Sequence, residues 1–250
     1  MIGVVGGGQL AMLLVEAGKK RDIEVVVQTG VITDPAAKKT NQVVLHDPTN
    51  AEGTKLLAEK TSLITFENEW VDISSLLLIE NNGLSFVPSL QSLSPLINKI
   101  TQRELLNSLS IPCPDWLSIP LQKSSKIDLP ADWDFPLMAK AAKGGYDGKG
   151  TKIIKNLNQL EEFLEVETKE QWMLEKWVSF DKELSIVSSR DSKGIVRSLP
   201  IVETYQSKQV CDWVLAPADV NHDVDLMVKN IVSSLLAELD YVGVIAIEFF

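Results

Sequence analysis

Ile2-Gly-Val-Val-Gly-Gly-Gly-Gln-Leu-Ala11 joins an apolar run, a triple glycine and the start of a helical pattern. Ile2–Val5 reads as a short buried strand that Gly6-Gly7-Gly8 ends. Gln9–Lys20 follows, with Leu10, Leu13, Leu14 and Ala17 at helical spacing, which predicts an inner face made of those residues. Gly18 and the Lys19-Lys20-Arg21 cluster mark its C-terminal end, where cations complement the helix dipole. Glu24–Val27 is the next strand. A strand, helix and strand in this order imply a parallel sheet covered by helices, so the N-terminal class is α/β.

The same turn matches a phosphate-binding pattern, Gly6-x-Gly8-x-x-Ala11 between a strand and a helix. Its glycines permit close approach, and the helix start presents free N–H groups to an anion. A dinucleotide site also needs an acid at the end of the second strand, and here that end reads Val27-Gln28-Thr29-Gly30. This speaks against NAD or FAD. A phosphate site for another ligand and a tight turn without ligand both remain.

Outward from this unit, Val43–Leu45 is a strand, Asn50–Lys60 a helix with Leu56 and Leu57 inward, and Leu63–Phe66 a strand ending in Glu67-Asn68-Glu69. A helix near Val71–Asn81 and a strand near Leu84–Val87 complete a layered domain. Pro88, Pro95, Pro112 and Pro114 then punctuate a serine-containing stretch, with a domain boundary near Pro88–Ser94. Two short helices fit here, the second started by a capping box of Thr101 with Glu104. Strands are expected at Pro136–Lys140, Gly150–Ile154, Trp172–Trp177, Glu183–Ser189 and Ile195–Glu203, with a helix at Leu157–Leu164. Val224–Leu239 is an amphipathic helix with Val228, Ile231, Val232, Leu235 and Leu239 on one face, and Val242–Phe250 is a last strand. No internal repeat is present.

The 250 residues are 45% hydrophobic and 23% charged, as in a packed globular protein. A formal charge of −10 excludes a general nucleic-acid binder, which needs a basic face, but not a small anionic substrate. Cys113 and Cys211 are far apart and form no CxxC or Cys/His metal spacing, so they read as two reduced thiols. The start carries no basic segment or cleavage site, and the longest apolar runs, Leu76–Ile79 and Val242–Ile247, fall well short of the ~18 residues of a membrane span. A cytoplasmic protein without a membrane partner is expected.

The most informative stretch is Lys140-Ala-Ala-Lys-Gly-Gly-Tyr-Asp-Gly-Lys-Gly150. It holds no GxxxxGK[ST] and joins two strands, unlike a P-loop, which feeds a helix. Its glycines make a flap whose N–H groups can wrap polyphosphate, and Lys140, at a strand end, can set a cation on a phosphate. A solvated glycine-rich hairpin is the competing reading. Glu175 and Glu183 on consecutive strands can bind ribose hydroxyls or amine edges, or lie on solvated faces. Glu248 stands in an apolar strand, Val-Ile-Ala-Ile-Glu-Phe-Phe, which predicts a buried carboxylate needing a partner such as magnesium, unless the strand is left open.

Taken in order, these pieces resemble the ATP-grasp family, and within it the 5-(carboxyamino)imidazole ribonucleotide synthases of purine biosynthesis. The resemblance rests on Ile2–Leu10, Thr65-Phe-Glu-Asn-Glu69, Asn98-Lys-Ile-Thr-Gln102, Ile111-Pro-Cys-Pro114, Gly144–Gly150 and Gly243-Val-Ile-Ala-Ile-Glu248, and so runs through the whole chain. It implies a Rossmann-like pre-ATP-grasp sheet over 1–93, an ATP-grasp small lobe over 94–179 and a partial large lobe over 180–250.

By that resemblance, Lys99 and Lys140 meet the phosphates of ATP, and Gly144, Gly145, Tyr146, Asp147, Gly148, Lys149 and Gly150 close over them. Glu175, Lys176, Trp177 and Val178 form the hinge strand facing adenine, and Glu183 holds the ribose. Gln206 stands where many members carry a histidine and can hydrogen-bond without titrating. Gly8, Gln9 and Leu10 receive the substrate's ribose phosphate, and Glu67, Asn68, Tyr146 and Asp147 surround its aminoimidazole. Lys140 and Asp147 are the implied catalytic residues, and Glu248 the implied metal ligand.

The implied reaction is carboxylation of 5-aminoimidazole ribonucleotide with ATP and bicarbonate through carboxyphosphate, with two magnesium ions in full-length members. Members continue past the last strand to a second metal-binding acid, so this chain is read as C-terminally truncated, with an incomplete magnesium site. Competing readings are a related ligase, such as the formate-dependent glycinamide ribonucleotide transformylase, and a non-catalytic ATP-binding remnant. The implied partners are small molecules, with a homodimer allowed.

Overall fold

The computed structural model describes residues 1–80, 84–121, 127–144, 150–165, 171–207 and 210–250. Two compact units emerge. The first comprises Met1–Ile97, Arg190–Ile195 and Glu238–Gly243, and the second Asn98–Ser189, Val196–Ala237 and Val244–Phe250.

In the first unit, β1 (Ile2–Val5), β2 (Val25–Thr29), β3 (Val43–Leu45) and β4 (Leu63–Phe66) form one sheet in the order β3-β2-β1-β4. The pairings are parallel, with Ile2 opposite both Val25 and Leu63. Helix α1 (Gln9–Lys19) covers one face, where Val4, Val25 and Val27 meet Ala11 and Val15. Helices α2 (Ala51–Ala58) and α3 (Ile73–Glu80) cover the other, where Val5, Val26, Val44 and Ile64 meet Leu57, Ile73 and Leu76. The expected parallel α/β layer is therefore present.

Three expectations for this unit are corrected. The inner face of α1 is Ala11, Val15 and Gly18, while Leu10, Leu13 and Leu14 are exposed. At the C-terminal end of α1 the cause is close approach: a Cβ on Gly18 would lie 2.7 Å from the Ile23 carbonyl oxygen and 2.8 Å from Val25 Cγ2, so no side chain fits at that position. On α2, Leu57 is buried but Leu56 is 40% exposed. Residues 84–87 pair β4 through a single bridge, Phe86 with Ile64, rather than as a strand.

Gln28, at the position tested for a ribose-binding acid, is fully buried. Its amide donates to Asp47 O (2.8 Å) and Asn50 O (3.1 Å) and accepts from Thr54 Oγ1 (2.9 Å). It ties the end of β2 to the start of α2, and no ligand role is left for it.

In the second unit, β5 (Trp116–Ile119), β6 (Leu137–Ala141), β7 (Thr151–Ile154) and β8 (Trp172–Lys176) form an antiparallel sheet ordered β5-β8-β6-β7. Ile119, Leu137, Ala139, Ala141, Trp172 and Leu174 project from one face onto Leu160, Phe163 and Leu164 of α6 (Leu157–Glu165). Between the two parts of the chain lie α4 (Leu90–Leu93), a short 3-10 turn and α5 (Lys99–Ser108). Asn98 caps α5 by accepting from Ile100 N (2.8 Å), which displaces the expected cap: Thr101 lies inside the first turn and donates to Asn98 O (2.9 Å).

The remaining strands are β9 (Glu183–Arg190), β10 (Val196–Ser198), β11 (Val202–Ser207), β12 (Val210–Leu215) and β13 (Gly243–Phe249). They are ordered β10-β9-β11-β12, with β13 also on β9. The single strand expected over Ile195–Glu203 is broken between β10 and β11, where Pro200 cannot donate to a ladder. Strands β5 and β12 carried no named expectation. Helix α7 (His222–Glu238) buries Val228, Val232, Leu235 and Leu236.

Two measurements test this account. Leu57→Ala empties a fully buried site and should cost about 2–5 kcal/mol in urea unfolding, whereas Leu56→Ala should cost well under half of that. The Asp72 carboxylate accepts from the hydroxyls of Ser74 and Ser75 and from Ser75 N, and these bonds hold its pKa at about 2. That value lies below an unfolded one of ~3.9, so ionised Asp72 adds stability above about pH 4 that is lost as the pH falls toward 2. Asp72→Ala should flatten the acid limb of the unfolding curve over that window.

Candidate functional site

The second unit sets three charges on one face of its four-stranded sheet. Along β8, Trp172 and Leu174 face the core under α6, while Met173 and Glu175 alternate to the opposite face. Glu175 sits opposite Met138 on β6, and Lys140 opposite Met173, so Lys140 is the diagonal neighbour of Glu175 on the same face. Helix α5 lies over this face: Ile100 packs with Ala142, Met173 and Trp116, and Arg103, three residues on, projects inward beside it.

The Glu175 side chain is 2% exposed and is held by both cations. Arg103 Nε and Nη2 each lie 2.7 Å from Oε1, and Lys140 Nζ lies 2.5 Å from Oε2. Burial of one carboxylate thus demands compensation, and two cations supply it, leaving a local excess of one positive charge. Cys113 is near enough to feel the same groups: burial pushes its thiol up, while the Arg103 guanidinium pulls it down.

Lys99 joins the same region. Its backbone N–H donates to Ala142 O (2.7 Å), and its ammonium donates to Gly144 O (3.0 Å), at the start of the glycine loop. Gly144 (φ +69°) and Gly150 (φ +78°) both adopt left-handed backbone, and among the described residues nothing lies within 4 Å of a Cβ placed on Gly144. The loop joins neighbouring antiparallel strands, as Lys140 pairs with Thr151. Gly145, Tyr146, Asp147, Gly148 and Lys149 lie outside the described residues.

The other expected nucleotide residues are more dispersed. Lys176 alternates away from Glu175 and pairs with Asp132 (2.8 Å), which raises its pKa and lowers that of Asp132. Trp177 and Val178, just past β8, are exposed. Glu183 and Gln206 stand on the other sheet, at the start of β9 and beyond the β-bulge of β11. Glu248 is exposed on β13, not buried: β13 joins the sheet through β9, and its alternate side chains Val244, Ala246 and Glu248 face outward. No group of three His, Cys, Asp or Glu side chains able to hold a metal ion exists among the described residues.

In the first unit the glycine turn already holds an anion. Glu67, just after β4, accepts from Gly8 N on Oε2 (2.7 Å) and from Leu10 N (3.2 Å) and Ala11 N (3.3 Å) on Oε1. A Cβ at Gly6 or Gly8 would strike this carboxylate, and Gly6 has φ +124°. The N–H groups of Gly8 and Leu10 that were expected to receive a phosphate are thus taken by the chain's own Glu67, which satisfies the helix start in its place. Gln9 begins the helix and is exposed, and Asn68 Oδ1 accepts from Trp70 N (3.0 Å).

Sequence reasoning missed Arg103. The available signal was a basic residue three positions after an inward Ile100 on a short helix. It also left Glu175 open between a ligand-binding and a solvated reading, although Trp172-Met-Leu-Glu175 is as apolar a setting as that of Glu248.

An ATP-grasp domain model matches residues 104–250. The chain belongs to the ATP-grasp family. A ribonucleotide synthetase pre-ATP-grasp domain model matches residues 1–96, so the parallel sheet is the pre-ATP-grasp part and the antiparallel sheets the ATP-grasp part. The chain is 39% identical over 249 residues to the N5-carboxyaminoimidazole ribonucleotide synthase of Synechocystis sp. and 37% identical to that of Synechococcus elongatus. All of this chain is covered in both, and it spans 62% and 63% of those relatives' lengths. Among solved structures it is similar to the carboxyaminoimidazole ribonucleotide synthase of Aspergillus clavatus complexed with ATP, with TM-score 0.89, 28% identity, and 100% of this chain and 65% of that one covered. A complex from the same organism with ADP and the aminoimidazole ribonucleotide gives TM-score 0.87 at 27% identity, again over all of this chain and 65% of that one.

Glu67→Ala removes a charged acceptor from three N–H groups at the start of α1. It should destabilise the chain by about 1–3 kcal/mol in denaturant unfolding, and Glu67→Gln should recover part of that loss.

Proposed function

We infer that this ATP-grasp chain handles ATP and substrate in the carboxylation of 5-aminoimidazole ribonucleotide, driven by ATP and bicarbonate. The observation that carries the reading is the likeness, over the whole of this chain, to synthases solved with ATP and with ADP plus the aminoimidazole ribonucleotide. The charge arrangement supports it: a cation excess lies beside a glycine loop, where polyphosphate would be received.

In this reading a bicarbonate oxygen attacks the γ-phosphorus of ATP, ADP leaves, and carboxyphosphate forms. Carboxyphosphate then yields carbon dioxide to the substrate amine and releases phosphate. Such phosphoryl transfer needs positioned cations more than covalent side-chain chemistry. Lys140 and Lys99 supply them, and Asp147 is assigned to the same step. Residues 175–178 meet adenine, Glu183 the ribose, and Gln206 adds a hydrogen bond. The substrate's aminoimidazole falls to Glu67, Asn68 and Tyr146. The substrate's ribose phosphate falls to Gly8, Gln9 and Leu10, at the helix start that Glu67 also reaches. The two ATP-grasp lobes are taken as 94–179 and 180–250. Among the described residues no helix is long and apolar enough to cross a membrane, and the expected partners are small molecules.

Two experiments test the reading. ADP release by this chain should require ATP, magnesium, bicarbonate and 5-aminoimidazole ribonucleotide together. Release that follows formate instead of bicarbonate would redirect the assignment to a formate-using ligase. In calorimetry with ATP, Lys140→Ala should lose about tenfold or more in affinity, whereas Lys155→Ala, just past the far end of β7, should change it by less than about twofold.

A further inference from the structure

The geometry points to Arg103 as a positioning residue for nucleotide binding: it keeps Glu175 paired when Lys140 leaves that carboxylate for an anionic polyphosphate. The inference rests on the reading of Lys140 as a phosphate ligand, and it assigns a role to a residue outside that ligand set.

The two cations use different oxygens of Glu175. Arg103 places both Nε and Nη2 at 2.7 Å from Oε1, while Lys140 alone among the described residues pairs with Oε2. Lys140 can therefore depart without disturbing either arginine bond. Exposure agrees, since the Glu175 side chain is 2% exposed, Arg103 13% and Lys140 21%. The lysine is the member of the triad nearest to solvent. It is also the member whose strand runs on into the glycine loop, through Ala141, Ala142 and Lys143.

A one-to-one buried pair would behave differently. If Lys140 were the sole partner of Glu175, its departure would strand a buried carboxylate, a change that strongly opposes binding. With Arg103 in place the carboxylate stays compensated, and the triad gives up only its surplus charge. Arg103 itself is held from the helix side, where Ile100 of the same turn packs on Met173 and Ala142, and its Nη1 donates to Gln102 Oε1 (3.4 Å). A planar guanidinium with two donors on one oxygen suits this fixed role better than an ammonium does. The lysine, with a flexible stem and a single charged end, suits the mobile role.

The test is a double-mutant cycle on the full 250-residue chain, read by calorimetry with ATP and by circular dichroism for folding. Arg103→Gln should weaken ATP binding by about tenfold or more, although Arg103 is not assigned to the nucleotide. Placed on Glu175→Gln, the same substitution should cost less than about threefold, because no buried charge is then stranded. Arg103→Lys retains the cation with a single donor group, and its affinity should fall between those of wild type and Arg103→Gln.

Equal losses from Arg103→Gln in the wild-type and Glu175→Gln backgrounds would overturn the inference, as would a folded Arg103→Gln chain that binds ATP like wild type. If Arg103→Gln does not fold, Arg103→Lys decides. No loss of affinity from Arg103→Lys in either background refutes the role, and a loss confined to the background that keeps Glu175 supports it. A wild-type chain that binds no ATP would instead refute the ATP reading, and this inference with it. Rescue by Glu175→Gln separates positioning from simple structural support, which would predict additive damage.

Discussion

A carboxylate on a sheet face cannot be taken out of water unless something replaces the water. Glu175 meets that constraint in the middle of the sheet, on β8, and the surrounding architecture follows from it. Strand β6 must run beside β8 in the register that makes Lys140 a diagonal neighbour. Helix α5 must cross the same face at a height that brings Arg103 to Oε1. The Asn98 cap and the Ile100 contact fix where α5 starts, and Lys99 is carried with it to the edge of the glycine loop. An electrostatic requirement and a packing requirement thus converge on one end of the sheet, beside the loop proposed to receive phosphate.

The first unit solves a related problem with the signs reversed. A helix start exposes unpaired N–H groups, and β4 delivers Glu67 to three of them. The triple glycine is explained by that delivery. Gly6 and Gly8 leave room for the carboxylate, and a Cβ on Gly7 would strike Thr29, whose hydroxyl bonds Asp34. The turn that reads as a phosphate cradle also seats a side chain. The pattern alone could not separate the two, since a carboxylate and a phosphate place the same demands on backbone N–H groups.

Much of the fold was legible in the chain. The alternation of apolar strands with helices identified the parallel sheet. The misread face of α1 has a packing cause. Helical spacing of Leu10, Leu13 and Leu14 suggested an inner face, but the distance between α1 and β2 selected the smaller stripe of Ala11, Val15 and Gly18. The size of the gap between two elements is a property of their packing, and it is not written in the periodicity of either one.

The contrast between Glu175 and Glu248 marks the division most clearly. Both stand in apolar strands, and the residues by themselves determined that each needs either water or a partner. They also determined the order of motifs, the strand character of both segments and the presence of basic residues nearby. Which carboxylate is buried was decided only by tertiary structure, because burial depends on what covers the sheet face. Helix α5 covers Glu175 and brings Arg103 to it, whereas on β13 the outward face of Glu248 lies open. A sequence specifies which side chains must be compensated, but compensation is a relation between elements distant in the chain, and only the folded sheet and helix set the distances that achieve it.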